Sequence, residues 1–219
     1  MADVGTLTGT LDIPRRGRHG LRQLLGAGAW QRLPEAVRER FAETAPDVTY
    51  AGAFELVRAS LLGRLFAWLG TFFGTPVVPR DGENVEARVR VRAVADGVAW
   101  HRDYLWPGGA RHVVTSTKVI VGRELVEKLP ARLNMRLAVS EENGVLVFTS
   151  RGYYFDLSLG DFGYGVRLPL PDFFSPGTTR VEHVDLGHGW FRFTMIVMHP
   201  WFGETFFQTG RFCATEDAE

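Results

Sequence analysis

Gly189–Phe212, GWFRFTMIVMHPWFGETFFQTGRF, reads as two strands joined at a Pro-Trp-Phe-Gly turn. Side chains alternate along a strand with period two. Phe191, Phe193, Met195, Val197 and His199 therefore share one face of the first run, and Phe206, Gln208, Gly210 and Phe212 share one face of the second. A hairpin this aromatic predicts a cupped sheet or β-barrel wrapped around an interior. His199 and Gln208 stand on otherwise apolar faces. A buried polar group needs a hydrogen-bond partner in the protein or a ligand, and the pattern leaves both open.

Working outward, 219 residues with 45% hydrophobic content fit one large domain. Lysine plus arginine (25) balance aspartate plus glutamate (25), so no net field favours nucleic acid or anionic lipid. The lone Cys213 precludes an internal disulfide framework and fits a reducing compartment, so a cytoplasmic location is expected. Residues 1–20 carry Gly5, Gly9, Pro14 and a basic run and are expected to form a flexible arm. Residues 21–213 form the domain, and 214–219 an acidic tail.

Pro34 suits the first position of a short helix carrying Val37 and Phe41. Phe54, Val57, Leu61, Leu65 and Trp68 recur at helical spacing and predict a longer helix, widened by Leu62, Phe66 and Leu69. Arg58, Gly63, Arg64 and Gly70 interrupt its apolar run, so no membrane insertion is expected. Beyond Pro79 the period becomes two. Val85–Val94, Val98–Leu105, His112–Val121, Leu133–Ser140, Val145–Ser150, Gly152–Leu159 and Thr179–Asp185, with the two C-terminal runs, make about nine strands. Glu142-Asn143-Gly144 supplies a hairpin turn, and the prolines of Leu168–Pro176 mark a connection or edge segment. Helices followed by a long antiparallel run predict an α+β fold, with N-terminal helices packed on a strongly curved sheet or barrel.

LPEAVRERFA (33–42), Trp100-x-Arg102-x-Tyr104, GVLVFTSRGYY (144–154), LPLPDFFSPG (168–177) and VEHVDLGHGWFRFTMIVMHPWFGETFFQTGRF (181–212) together resemble a bacterial family, domain of unknown function 4166. The resemblance spans roughly residues 24–213 and is most specific in its last third. It implies a fold rather than a chemistry. Members are often joined to the C-terminus of saccharopine-dehydrogenase-like reductases, which implies a reductase partner for a copy that stands alone.

Candidate chemistry gathers on a few side chains. Arg102, between Trp100 and Tyr104, needs a carboxylate, a carbonyl or an anionic ligand if it faces inward, and Glu127 and Glu204 are the favoured carboxylates. The opposite pleat would instead point His101 and Asp103 inward. His183, Asp185 and His188 offer ligand chemistry for zinc or iron, but the motif is short, and cross-strand hydrogen bonding of His183 and Asp185, with His188 in a hairpin tip, is the preferred account. No metal and no cofactor are expected. His199 and His183 are the candidate acid/base groups and Arg102 the candidate stabiliser of negative charge. Trp100, Tyr104, Glu127, Tyr154, Glu204 and Gln208 are the candidate ligand-binding residues, with Tyr153 a further tyrosine of the same region. A Gly-x-Ser-x-Gly elbow is absent, and Ser116-Thr117-Lys118 lacks the Ser-x-x-Lys spacing.

Three functions fit these features: binding of a small, largely hydrophobic molecule in a barrel cavity, cofactor-independent isomerisation, cyclisation or dehydration of a hydrophobic metabolite, and docking on a reductase as a non-catalytic domain.

Overall fold

The computed structural model describes residues 20–43, 45–71, 80–157 and 166–215. The expected arm up to residue 19 and the tail from residue 216 lie outside them. Three short helices, α1 (Leu21–Leu25), α2 (Ala27–Arg32) and α3 (Glu35–Arg40), precede strand β1 (Val48–Ala59) and helix α4 (Leu61–Thr71). A meander follows: β2 (Gly82–Val94), β3 (Gly97–Leu105), β4 (Arg111–Val121), β5 (Glu124–Lys128), β6 (Leu133–Glu142) and β7 (Val145–Asp156). The short strand β8 (Arg167–Leu170) leads to β9 (Thr178–Gly187), β10 (Trp190–His199) and β11 (Gly203–Thr215).

Ten of these strands close into an antiparallel barrel, so the expected curved sheet has no free edge along most of its length. Each strand from β1 to β7 pairs with the next, β7 pairs with β9, and β11 returns to β1. β8 is the extra strand. It takes the edge of β7 from Tyr153 to Asp156, beyond the Leu146–Thr149 segment occupied by β9. The helices are short and the fold is mostly β.

Two bulges explain where periodicity misled. In β1, Phe54 pairs with Gly210 and Leu56 with Thr209, so an extra residue sits at Glu55. The bulge turns the inward spacing from two to three, and Phe54 and Val57 are both buried. That spacing imitates a helix, so the expected helix from Phe54 is strand up to Ala59, and α4 begins at Leu61. In β7, Leu137 pairs with Ser150 and Met135 with Tyr153, which places an extra residue near Gly152 (φ 109°). The two expected strands 145–150 and 152–159 are therefore one bulged strand over its described length. β5, short and charged at both ends, carries too few residues for alternation to show.

The helices complete the core. α3 buries Val37, and Phe41 just after it packs on Trp100, Phe148 and His183 with centroids 6.3, 5.8 and 5.0 Å away. These contacts plug the barrel interior from one side. α4 lies so close to β11 that a Cβ at Gly63 would stand 1.8 Å from the Thr205 carbonyl oxygen.

Candidate functional site

The inward pleat of β3 carries Trp100, Arg102 and Tyr104, all buried. The pleat choice is thereby decided: Asp103 faces out and is held by Arg111, whose Nε donates at 2.7 Å, and His101 Nδ1 meets Thr115 Oγ1 at 3.2 Å. On β4 the inward positions include Ser116 and Lys118, and cross-strand pairing sets Lys118 opposite Glu127 of β5. Neighbours on one pleat are within side-chain reach, and a charged cluster forms. Ser116 Oγ donates to Glu127 Oε1 (2.6 Å), Arg102 Nη1 donates to Ser116 Oγ (3.1 Å), and Arg102 Nη2 lies 3.5 Å from Glu127 Oε1. Lys118 Nζ lies 3.2 Å from Glu127 Oε2. Burial by itself would raise the Glu127 pKa. Lys118 and Arg102, with the hydrogen bonds from Ser116 and Lys118, outweigh it and bring the carboxyl down to about 2. Lys118 is pushed below its ordinary value, chiefly by burial and against the pull of Glu127.

This cluster forms one wall of an internal cavity with free space of about 60 Å³. Leu129, Leu133, Met135, Leu137, Val181 and Met195 give it an apolar lining, while His183 and Gln208 add polar atoms. Two smaller voids, about 50 and 20 Å³, share Trp100 with the main cavity as a lining residue. His183, 3% exposed, is boxed by Phe41, Phe148 and Phe193. Burial, with Arg40, Lys118 and Arg102 nearby, holds its pKa well below the ordinary histidine value, so the imidazole is neutral at pH 7. His183 Nδ1 and Trp100 Nε1 are buried and find no hydrogen-bond partner among the described residues. Buried polar atoms are nearly always paired, which makes these two the unfinished part of the site.

The family profile described as "Domain of unknown function (DUF4166)" matches residues 33–212. The chain belongs to the DUF4166 family. No curated protein and no solved structure matches it.

In this DUF4166 barrel the remaining expected site residues separate. Tyr104 stacks on Phe54 (5.0 Å) and its hydroxyl donates to Gln208 Oε1 (3.4 Å), which ties Gln208 to the core beside the cavity. Tyr154 is on the outer face, packed with Val119 and Val126 under Arg136 and Arg167. The β7 bulge brings Tyr153 inward instead, and its hydroxyl meets Thr179 Oγ1 at 2.8 Å. Glu204 is not the partner of Arg102: it pairs with Arg58 at the surface (2.6 Å). His199 lies away from the cavity lining. Its Nδ1 accepts from the Trp201 N–H (3.3 Å), and its ring packs on Phe66 and Phe202. Over it Phe173, Phe174, Trp201 and Phe202 form a patch of rings, each more than half exposed. His188 sits in the β9–β10 turn at φ 53°, and Asp185 accepts from the Gly187 N–H. Sequence reasoning passed over Ser116 and Lys118 as site residues. The alternation of β4, which puts Val114, Ser116 and Lys118 on one pleat, was the available signal.

Proposed function

We propose that the barrel binds a small molecule with a largely apolar body in its internal cavity. The observation that carries this reading is free space bounded by apolar side chains and a few fixed polar groups, the usual architecture of a ligand site. A water occupies about 10–15 Å³ on this measure, so about 60 Å³ suits a body of a few heavy atoms. That is well below the roughly 300–1,000 Å³ of drug-sized pockets. A longer ligand would extend toward the two voids that share Trp100 with the cavity. Phe206, buried elsewhere, does not fill the space. Proton transfer finds less support. His183 and His199 do not share a site, and a histidine held far below neutrality is a weak base at pH 7. Native mass spectrometry of the purified protein, with organic extraction of the retained fraction, tests the reading. A stoichiometric small molecule supports it. An empty protein that gives no thermal shift with any compact apolar compound counts against it.

A second reading has its own observation. The patch of Phe173, Phe174, Trp201 and Phe202 is a cluster of large apolar side chains outside the cavity, and such patches mark protein contact surfaces. It favours docking on another protein, with the reductase partner implied by the family resemblance as the candidate. Sedimentation of the protein with such a reductase, before and after Trp201→Ser and Phe202→Ser, decides it: co-sedimentation that the substitutions leave intact excludes the patch.

A further inference from the structure

We propose that the polar wall of the cavity recognises a carboxylate, so that the ligand is a small monoanionic acid with a compact apolar body. This rests on the cavity reading above and names the ligand class. Charge is the first support. Arg102 and Lys118 bring two cations to the wall and Glu127 one carboxylate, whose oxygens are already engaged by Ser116 and Lys118. A buried charge without a counter-charge is costly, and an anion in the cavity completes the balance. Arg40, further off and lining the neighbouring void, interacts with Asp185 and Tyr50.

Geometry is the second support. A guanidinium presents five N–H donors in a fork that matches a carboxylate. Arg102 gives one to Ser116, and at 3.5 Å its approach to Glu127 is an ion pair rather than a well-made hydrogen bond. The third support is the pair of orphaned atoms. Trp100 Nε1 can only donate, and it and His183 Nδ1 belong to side chains 8% and 3% exposed that line the cavity with the cations. A ligand rich in acceptors satisfies a donor that no described residue reaches. A cationic ligand would add to the excess charge, and a neutral carbonyl would leave it standing. Leu129, Leu133, Met135 and Leu137 are left to enclose the apolar body.

Ligand-observed NMR titrations at constant ionic strength test this, using isobutyrate, hexanoate and benzoate, each against its own amide, with acetate as the bare head group. The acids are expected to bind at least about tenfold tighter than their amides, because hydrogen bonds to charged groups are worth about ten- to a hundredfold. Arg102→Met is expected to weaken the acids far more than the amides, so that the difference between each acid and its amide falls away. It retains a one-to-one Lys118–Glu127 pair and so keeps the fold. Trp100→Phe, which keeps an aromatic ring and removes only the donor, is expected to weaken the acids by a few-fold. Equal affinity for acid and amide would overturn the carboxylate assignment and leave the cavity reading intact. Acetate binding as well as hexanoate would reduce the site to one for simple anions, which also overturns it. No binding by any acid or amide would remove the cavity reading as well.

Discussion

Replacing Glu127 by Gln keeps its volume and removes the one carboxylate that, among the described residues, pairs with Arg102 and Lys118. Two lines of reasoning give the size of the effect. Lowering a carboxyl from 4.5 to about 2, at about 1.4 kcal/mol per pH unit, corresponds to about 3 kcal/mol of stability. Breaking a buried pair by deleting one partner costs about 3–5 kcal/mol. For a chain of this length each kcal/mol moves the midpoint by roughly 2–4 °C, so the two figures together put Glu127→Gln roughly 6–20 °C below wild type at pH 7. The pH dependence has a definite sign. Because the folded pKa is depressed, the contribution is fully present above about pH 5 and is lost as pH falls toward about 2. The gap between the two proteins should therefore close on acidification. Calorimetric scans of both proteins from pH 7 down to pH 3 provide the assay. An unchanged midpoint at pH 7, or a gap that stays constant across the range, would refute the account of Glu127 as an ionised, doubly paired group.

Lys118, held below its ordinary value by burial, disfavours its proton in the folded state. In Glu127→Gln, where it also loses its counter-charge, Lys118 should give up its proton in the folded state below the ordinary lysine range, so stability should rise with pH on the approach to that range, and a profile with no such rise would contradict this. Phe148→Ala removes a fully buried ring between Phe41 and His183 and should cost about 3–5 kcal/mol by urea unfolding, with a larger cavity left behind. Gly63→Ala forces a methyl against the Thr205 carbonyl, so α4 must lift from β11, and a loss of about 1–3 kcal/mol is expected from the same measurement. Arg58→Ala breaks the surface pair with Glu204 and a guanidinium contact over the Phe207 ring 5.7 Å away, both exposed, and should move stability by about 1 kcal/mol or less.

The barrel was legible wherever strands alternate cleanly. The faces of β10 and β11, including His183's neighbour Phe193, and Gln208, follow from period two; on β3 the same alternation groups Arg102 with Trp100 and Tyr104 but leaves open whether that pleat or the one with His101 and Asp103 faces inward. Pairing Arg102 with Glu127 was also within reach, because an inward guanidinium demands a carboxylate. Legibility failed at the bulges. One extra residue at Glu55 made a strand look helical, and one near Gly152 exchanged Tyr153 for Tyr154. Gly152 was the local hint, since an isolated glycine within a strand pattern often marks a bulge. Glu204 and His199 were misplaced for another reason: their proximity in sequence to the apolar face says nothing about the bulge between Val197 and Met198 that reorganises the end of the hairpin.

Closure through β1 and β11 bears on how the chain reaches this state. Around the rest of the ring most neighbouring strands are close in sequence, but the final seam joins partners as far apart as Thr49 and Thr215, separated by 166 residues. Closing so long a loop carries an entropic penalty that is repaid only when the seam zips. The meander from β2 to β7 can pair through local hairpins, whereas β1 has one edge unmatched until β11 arrives. Slow, late seam formation is thus the expected rate-limiting event. During that interval the open edges of β1 and β11 are where misassembly between chains would start.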